Sequence, residues 1–312
     1  MKPRANAECE AQSASQPPQA RGNHPPPAKL AVQGLTHRYA MRSPPAELTV
    51  LSGIDLEIPR GQFVCIIGES GCGKSTLLRM MAGLLVPSEG RVLHDGALVR
   101  GVRHELGFVF QQDAVFPWLT VEKNVAYGPK SRGVPKAERE RLVAQWCDAV
   151  GLTAFRKAYP KQLSGGMRKR VDLARAYANA PDVLLMDEPF AALDVQTKAE
   201  MHDAVLELWR STRKTVVFVT HDLDEAVFLS DTVVVLSSRP GRVHAIVQST
   251  LPRPRTGETR VSDAFAAAKR TLWTTLQEAR ARPLAHAPSG AGETKRIDPP
   301  NARRDRPGRN NA

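Results

Sequence analysis

The stretch FVCIIGESGCGKST, Phe63 to Thr76, decides the fold. Its first five residues form an unbroken apolar run, as expected of a strand covered on both faces. Gly68, Gly73, Lys74 and Ser75 then occupy the fixed positions of G-x-x-x-x-G-K-[ST], and LLRMMAGLL follows as a helix-forming segment. Strand, glycine-rich loop and helix in this order are the context that the motif requires. Gly71 and Gly73 let the main chain approach a phosphate without a Cβ in the way. The N–H groups of a loop running through Gly68, Glu69, Ser70, Gly71, Cys72 and Gly73 cradle an anion, and the dipole of the following helix adds to it. Lys74 is suited to the β- and γ-phosphates of a nucleotide and the Ser75 hydroxyl to Mg²⁺, with Thr76 closing the loop. Cys72 stands at a variable position and reads as filler, not as a nucleophile.

Outward from this loop, VLLMD (183–187), TVVFVT (215–220) and TVVVLS (232–237) repeat the short, continuous apolar run, with helix-like segments between them. That alternation predicts a parallel α/β sheet with crossover helices. Ahead of the loop, LAVQGLTHRYA and LTVLSGIDLEI alternate apolar and polar residues, which predicts half-exposed strands of an antiparallel sheet. From Pro117 to Gln162 the pattern turns helical: Leu142, Trp146 and Val150 recur every fourth residue, and Gly151 suits the C-terminal cap. Residues 261–282 read as one terminal amphipathic helix.

The strand VLLMD ends in Asp187, and Glu188 follows. Two adjoining carboxylates at a strand end repel unless a cation sits there. Asp187 is therefore the expected holder of Mg²⁺, and Glu188 the general base that activates an attacking water. His221 follows another apolar strand and precedes the acidic DLDEA; a lone histidine at a strand end is most often a structural residue, but this one stands beside the strands that carry the phosphate-site residues.

The chain has 312 residues and a formal charge of +12, of which residues 1–27 hold +1 and residues 283–312 hold +3, leaving +8 for the rest. Both ends are poor in core-forming residues and are expected to be disordered, the last as a basic tail. No basic stripe interleaved with aromatics appears, so a solvated basic face is favoured over nucleic-acid binding. Four cysteines form no C-x-x-C pair and have no histidine at zinc spacing, which suits a reducing compartment. Neither a signal-peptide apolar core nor an apolar run of about 18 residues is present, so a membrane role is expected to go through a partner.

LSGGM (163–167) places Ser164, Gly165 and Gly166 ahead of a basic helix-forming run, a second helix-start anion site in one chain. With this element the chain, over roughly residues 28–250, resembles the nucleotide-binding subunit of an ATP-binding cassette (ABC) transporter. The resemblance implies a P-loop NTPase fold: a RecA-like parallel-sheet core, an N-terminal antiparallel β subdomain and an α-helical signature subdomain. The implied layout is a tail at 1–27, the ATP-binding domain at 28–252 with a helical insertion about 113–180, a helical extension at 253–282 and a basic tail at 283–312. It also implies that Gln111 in VFQQDAVFPWLTVEKNV meets Mg²⁺ and the lytic water, that AALD (191–194) brings Asp194 to the nucleotide, that VTHD (219–222) puts His221 on the γ-phosphate, and that Tyr39 stacks on adenine. Met167 departs from the glutamine commonest at the fifth signature position. In this family two subunits stack head to tail, so Ser164, Gly165 and Gly166 would serve the γ-phosphate held by the partner copy.

VFPWLTV, LSGGMRKRV and LSSRPGRV further resemble importer ATPases for nitrate, aliphatic sulfonates and taurine. The implied partners are a second copy of the chain, integral membrane permease subunits that dock near 116–121, and indirectly a periplasmic solute-binding protein; nucleic acid is not expected. The implied place is the cytoplasmic face of the inner membrane. A soluble ABC ATPase acting on nucleic acid or ribosomes is the alternative; such proteins usually carry two cassettes or a long coiled coil, and this chain shows one loop of the 68–76 type and no long heptad run. A metabolic P-loop kinase would need neither LSGGM nor His221.

Overall fold

The computed structural model of the chain describes residues 28–40, 47–281 and 294–296. Cys9, the 1–27 tail and the remainder of 283–312 lie outside these residues. The alternating segments near the N-terminus form β1 (Ala28–Ala40) and β2 (Glu47–Pro59), which pair antiparallel. With β4 (Glu89–His94) and β5 (Ala97–Leu98) they make a four-stranded antiparallel sheet in the order β2-β1-β4-β5.

The continuous apolar runs form a second sheet. Its parallel strands are β3 (Phe63–Ile67), β6 (Leu106–Val109), β7 (Val183–Asp187), β8 (Thr215–Val219) and β9 (Thr232–Leu236), lying side by side as β9-β3-β8-β7-β6. β10 (Val243–Gln248) adds to β9 antiparallel, and β11 (Thr294–Arg296) adds to β10 in parallel. The last strand falls within the segment read as a basic tail. An edge strand is held by main-chain bonds and needs no apolar side chain, so composition gives no sign of it.

The unbroken apolar runs are explained by the layers on both faces. Along β3, Phe63, Cys65 and Ile67 enter one core, and Val64 and Ile66 enter another. The first core is filled from α4 (Gly165–Ala178), α5 (Val195–Thr212), α6 (Leu223–Leu229) and the terminal α8 (Asp263–Ala281), for example by Leu173, Val205, Phe228 and Leu272. The second is filled from α1 (Lys74–Met81) and the antiparallel sheet, by Leu77, Met81, Leu35 and Ile54. Strand side chains alternate faces, so only a strand covered on both sides is apolar at every position. Cys65, Cys72 and Cys147 are buried free thiols, and burial raises all three above the usual thiol range.

α2 (Val121–Ser131), α3 (Lys136–Ala149) and α4 lie between β6 and β7 in the chain and form the helical insertion. α3 and α4 meet where the Trp146 and Tyr177 rings pack at 5.0 Å between centroids. Val143 and Cys147 join Trp146 in the buried face of α3, whereas Leu142 is only partly buried. The C-terminal end of α3 turns at Gly151, whose φ is 68° and whose N–H donates to Asp148 O.

Two buried cations fasten the parts together. Lys29 of β1 donates to Asp95, beside β4, and at 2.8 Å to Asp182, just ahead of β7. It thereby ties the antiparallel sheet to the parallel one. Arg255 fans across the end of α6, donating to the carbonyls of Val227, Phe228 and Ser230, to Leu251 O and to Ser249 Oγ. Burial lowers its pKa to about 10, which still leaves it charged at neutral pH. Helix-terminal carbonyls have no partner within the helix, so removing this guanidinium strands several buried acceptors. Arg255→Leu is expected to lower the free energy of unfolding by roughly 2–4 kcal/mol, read from urea denaturation with an unchanged slope. A loss below about 0.5 kcal/mol, the scale of an ordinary surface change, would contradict this role.

Candidate active site

The 68–76 loop joins β3 to α1. Gly73 caps α1 at φ 102°, a conformation that L-residues rarely adopt, and a Cβ there would lie 2.6 Å from Leu51 Cδ2. Both the turn and the close packing of β2 on the loop therefore require glycine. The Lys74 ammonium donates to Gly68 O and Glu69 O, each at 2.9 Å, and the residue is 5% exposed. The lysine is thus already folded over the loop that it is expected to serve.

One hydrogen bond joins this loop's helix to the neighbouring carboxylate strand: Ser75 Oγ donates to Asp187 Oδ1 at 2.7 Å. Burial, the largest cause, raises the Asp187 carboxyl above its ordinary range, and the Glu188 charge adds to it, while the Ser75 hydrogen bond opposes. The next residue turns away. Glu188 has φ 42°, in the left-handed region, and its N–H donates to Val219 O of β8. Its Oε2 lies 2.9 Å from His221 Nδ1. An ionised carboxylate only accepts, so Nδ1 carries the proton and Nε2 is left for another partner. The backbone turn thus separates the two adjoining acids, one set against Ser75 and the other against His221. A non-glycine residue held at positive φ stores strain of the kind concentrated at functional sites.

A part-buried hydroxyl–carboxylate pair offers oxygen donors of the type that Mg²⁺ prefers. The residues present therefore fit that ion: Ser75 and Asp187 on adjoining elements, with Glu188 next in the chain.

Gln111 follows β6, beside β7 in the sheet, and is exposed. Among the described residues its side chain has no hydrogen bond to Ser75 or Asp187. Its segment is instead pinned by the helix after the signature. Lys169 Nζ donates to Gln111 O at 2.8 Å and pairs with Asp113 at 3.1 Å, and Arg168 pairs with Asp113 at 2.7 Å. Sequence reasoning treated these two cations only as a basic, helix-prone run. Tyr39, on β1, is partly exposed; its ring stands edge-on to His37, and its hydroxyl lies 3.5 Å from Thr76 Oγ1.

Ser164 is the N-cap of α4, its Oγ accepting from Met167 N at 3.2 Å, and the residue is exposed. Gly166 packs so closely on α5 that a Cβ would meet Thr197 Cγ2 at 2.5 Å. Asp194 caps α5, accepting from Thr197 N at 3.0 Å, and hydrogen bonding to the Thr197 side chain first, then to its N–H, lowers the carboxyl below its ordinary range. Among the described residues no hydrogen bond or ion pair joins Ser164, Gly165, Gly166 or Asp194 to the 68–76 loop. The structure thus brings Lys74, Ser75, Asp187, Glu188 and His221 together and leaves the signature apart from them within one chain.

A groove runs where β6 meets the helical insertion, beside the 116–121 stretch at which a permease is expected to dock. Phe110, Tyr127, Asn179 and the Asp172–Arg175 pair line it. Trp118 is 69% exposed nearby, on a loop clasped by the buried Asn124, which donates to the carbonyls of Phe116, Leu119 and Thr120.

Fold and loop define a P-loop NTPase. The ABC transporter family matches residues 51–191. An uncharacterized ABC transporter ATP-binding protein of Methanocaldococcus jannaschii is 49% identical over 227 residues, 73% of this chain and 84% of that one. A nitrate import ATP-binding protein of Synechocystis is 47% identical, covering 66% of this chain and 77% of that protein. An aliphatic sulfonates import ATP-binding protein of Bacillus cereus is 39% identical, covering 76% and 91%. Among solved structures, a dimeric bacterial ABC transporter cassette superposes with a TM-score of 0.62 at 31% identity, covering 70% of this chain and 98% of that one. The chain belongs to the ABC transporter ATP-binding family and is an ATP-hydrolysing enzyme.

The raised Asp187 pKa gives a testable sign. A carboxyl raised on folding favours the fold while protonated; that contribution is lost as pH climbs from the unfolded value near 3.9 through the folded one. Asp187→Asn should therefore unfold at a higher temperature than the parent at neutral pH without nucleotide or Mg²⁺. The gap should shrink toward pH of about 4. Calorimetry across pH checks this, and a gap indifferent to pH would contradict it.

Proposed function

We propose that two copies of this chain bind ATP between them and that hydrolysis drives uptake of a small oxidised anion of the sulfonate, taurine or nitrate type through a separate membrane permease. The carrying observation is that the exposed cap Ser164 has no bond to its own chain's loop, while the residues suited to phosphate chemistry gather at the other site. A dimeric cassette among the similar structures and nitrate and sulfonate import ATPases among the relatives support the reading.

In this reading the loop amides of Gly68 to Thr76 and Lys74 hold the phosphates, and Tyr39 flanks the base. Ser75 and Asp187 hold Mg²⁺, with Gln111 joining them on closure; the ion neutralises charge building on the phosphate oxygens. Glu188, held by the His221 hydrogen bond, takes the proton of the attacking water, and His221 donates from an Nε2–H to a γ-phosphate oxygen. Ser164, Gly165 and Gly166 of the partner copy cover that phosphate with the N-terminal end of α4, and Asp194 lies beside them at the shared interface. Loss of the γ-phosphate removes contacts that favour the closed state, so the pair reopens.

No helix among the described residues is long and apolar enough to cross a membrane, so the link to transport is assigned to a partner. The groove of Phe110 and Tyr127, with the exposed Trp118 nearby, suits an amphipathic helix of a permease at the cytoplasmic membrane face. It adjoins Gln111, so docking there is coupled to the nucleotide site through Lys169. A periplasmic binding protein would select the solute.

Glu188→Gln is expected to leave ATP binding intact and slow turnover by roughly 10²–10⁴-fold. Single-turnover hydrolysis checks this, and a near-normal rate would remove the base assignment. A tagged chain purified from membranes should carry an integral membrane protein with it and, reconstituted in vesicles, support ATP-driven uptake of labelled nitrate, taurine or an alkanesulfonate. Recovery with nucleic acid in place of a membrane protein would contradict the transport reading.

A further inference from the structure

Two arginines from outside residues 68–76 reach the phosphate-binding loop. Arg239, between β9 and β10, donates from Nε to Gly71 O at 3.2 Å. Arg280, in the last turn of α8, pairs with Glu69 Oε1 at 3.1 Å. Both members of that pair are partly exposed, so it lies at the solvent rim of the loop.

The helix that carries Arg280 is firmly seated. Phe265, Leu272, Leu276 and Ala279 are buried. Lys269 pairs at 2.8 Å with Asp224 of α6, the helix that follows His221. Nearer its start the extension is anchored again: Arg260, in α7 (Gly257–Arg260), stacks 3.5 Å over the Phe228 ring and contacts His202 Nδ1 at 3.2 Å. The extension after the cassette therefore touches the elements behind both Lys74 and His221.

Glu69 puts a carboxylate beside a site built for a polyanion. Left unpaired it repels the incoming phosphates; paired with a guanidinium it does not. We propose that Arg280 is a positioning residue for the phosphate-binding loop. By neutralising Glu69, with Arg239 holding the Gly71 carbonyl on the same loop, it makes the C-terminal helix part of what sets affinity for ATP. The inference rests on the reading of residues 68–76 as the site of the ATP phosphates. A partly exposed ion pair is worth up to roughly a five-fold factor in an equilibrium constant, and less as salt rises.

The test is a cycle of Glu69→Gln, Arg280→Gln and the double variant in the full chain, reading KM for ATP and kcat separately at low and high salt. Arg280→Gln should raise KM about two- to five-fold with little change in kcat, and the increase should fade with salt. Arg280→Lys should keep most of the parent KM. The double variant should return toward the parent value, because no carboxylate is left unpaired; a merely structural role for Arg280 predicts no such rescue. Lys74→Ala, run alongside, tests the underlying site. If that variant loses ATP binding while Arg280→Gln leaves KM unchanged, or Glu69→Gln fails to rescue it, the role of Arg280 is overturned alone. If Lys74→Ala binds ATP as the parent does, the phosphate-site reading falls and this inference with it.

Discussion

Everything at the site depends on the parallel pairing of β9, β3, β8, β7 and β6. Parallel strands end on the same edge of a sheet, and ligands of such sheets gather beyond the carboxyl ends. Each of these five ends carries a residue that matters: Arg239 after β9, the 68–76 loop after β3, His221 after β8, Asp187 and Glu188 at β7, and Gln111 after β6. Neighbouring strands are spaced about 4.8 Å apart, so a proton acceptor, a phosphate cradle and oxygen donors for a cation fall within reach of one ligand. The His221–Glu188 hydrogen bond then locks the adjoining ends of β8 and β7, and the Ser75–Asp187 bond reaches past β8 to join the start of α1 to the end of β7.

Much of this arrangement is legible in the chain because its causes are local. A strand buried on two faces must be apolar throughout, so β3, β7, β8 and β9 stand out as unbroken runs. A phosphate cradle needs glycines at fixed spacing, so residues 68–76 stand out as well. What the chain hides has distant causes. Lys169 and Arg168 read as a solvated basic helix until the fold sets Gln111 and Asp113 beside them. Arg280 meets Glu69 from the other end of the described chain, and β11 is recruited by a sheet edge. Neither leaves a periodic trace. Glu188 at positive φ is equally silent, since the tight turn there is imposed by the bond to Val219 and not by a glycine.

The basic excess of the chain also takes on a different meaning. Part of it is structural: Lys29, Lys169 and Arg255 are buried among carboxylates or carbonyls, where they join the two sheets, hold the Gln111 segment and close the end of α6. Another part surrounds the phosphate loop.

The central claim is that the site is completed by a second copy, and complementation between two disabled chains tests it most directly. A Lys74→Ala chain keeps the cap and lacks the pocket; a Ser164→Arg chain keeps the pocket and lacks the cap. Each alone should turn over ATP at background level, and mixing them should restore a fraction of the parent activity. A Ser164→Arg chain that hydrolyses ATP by itself at the parent rate, with no gain on mixing, would contradict the account.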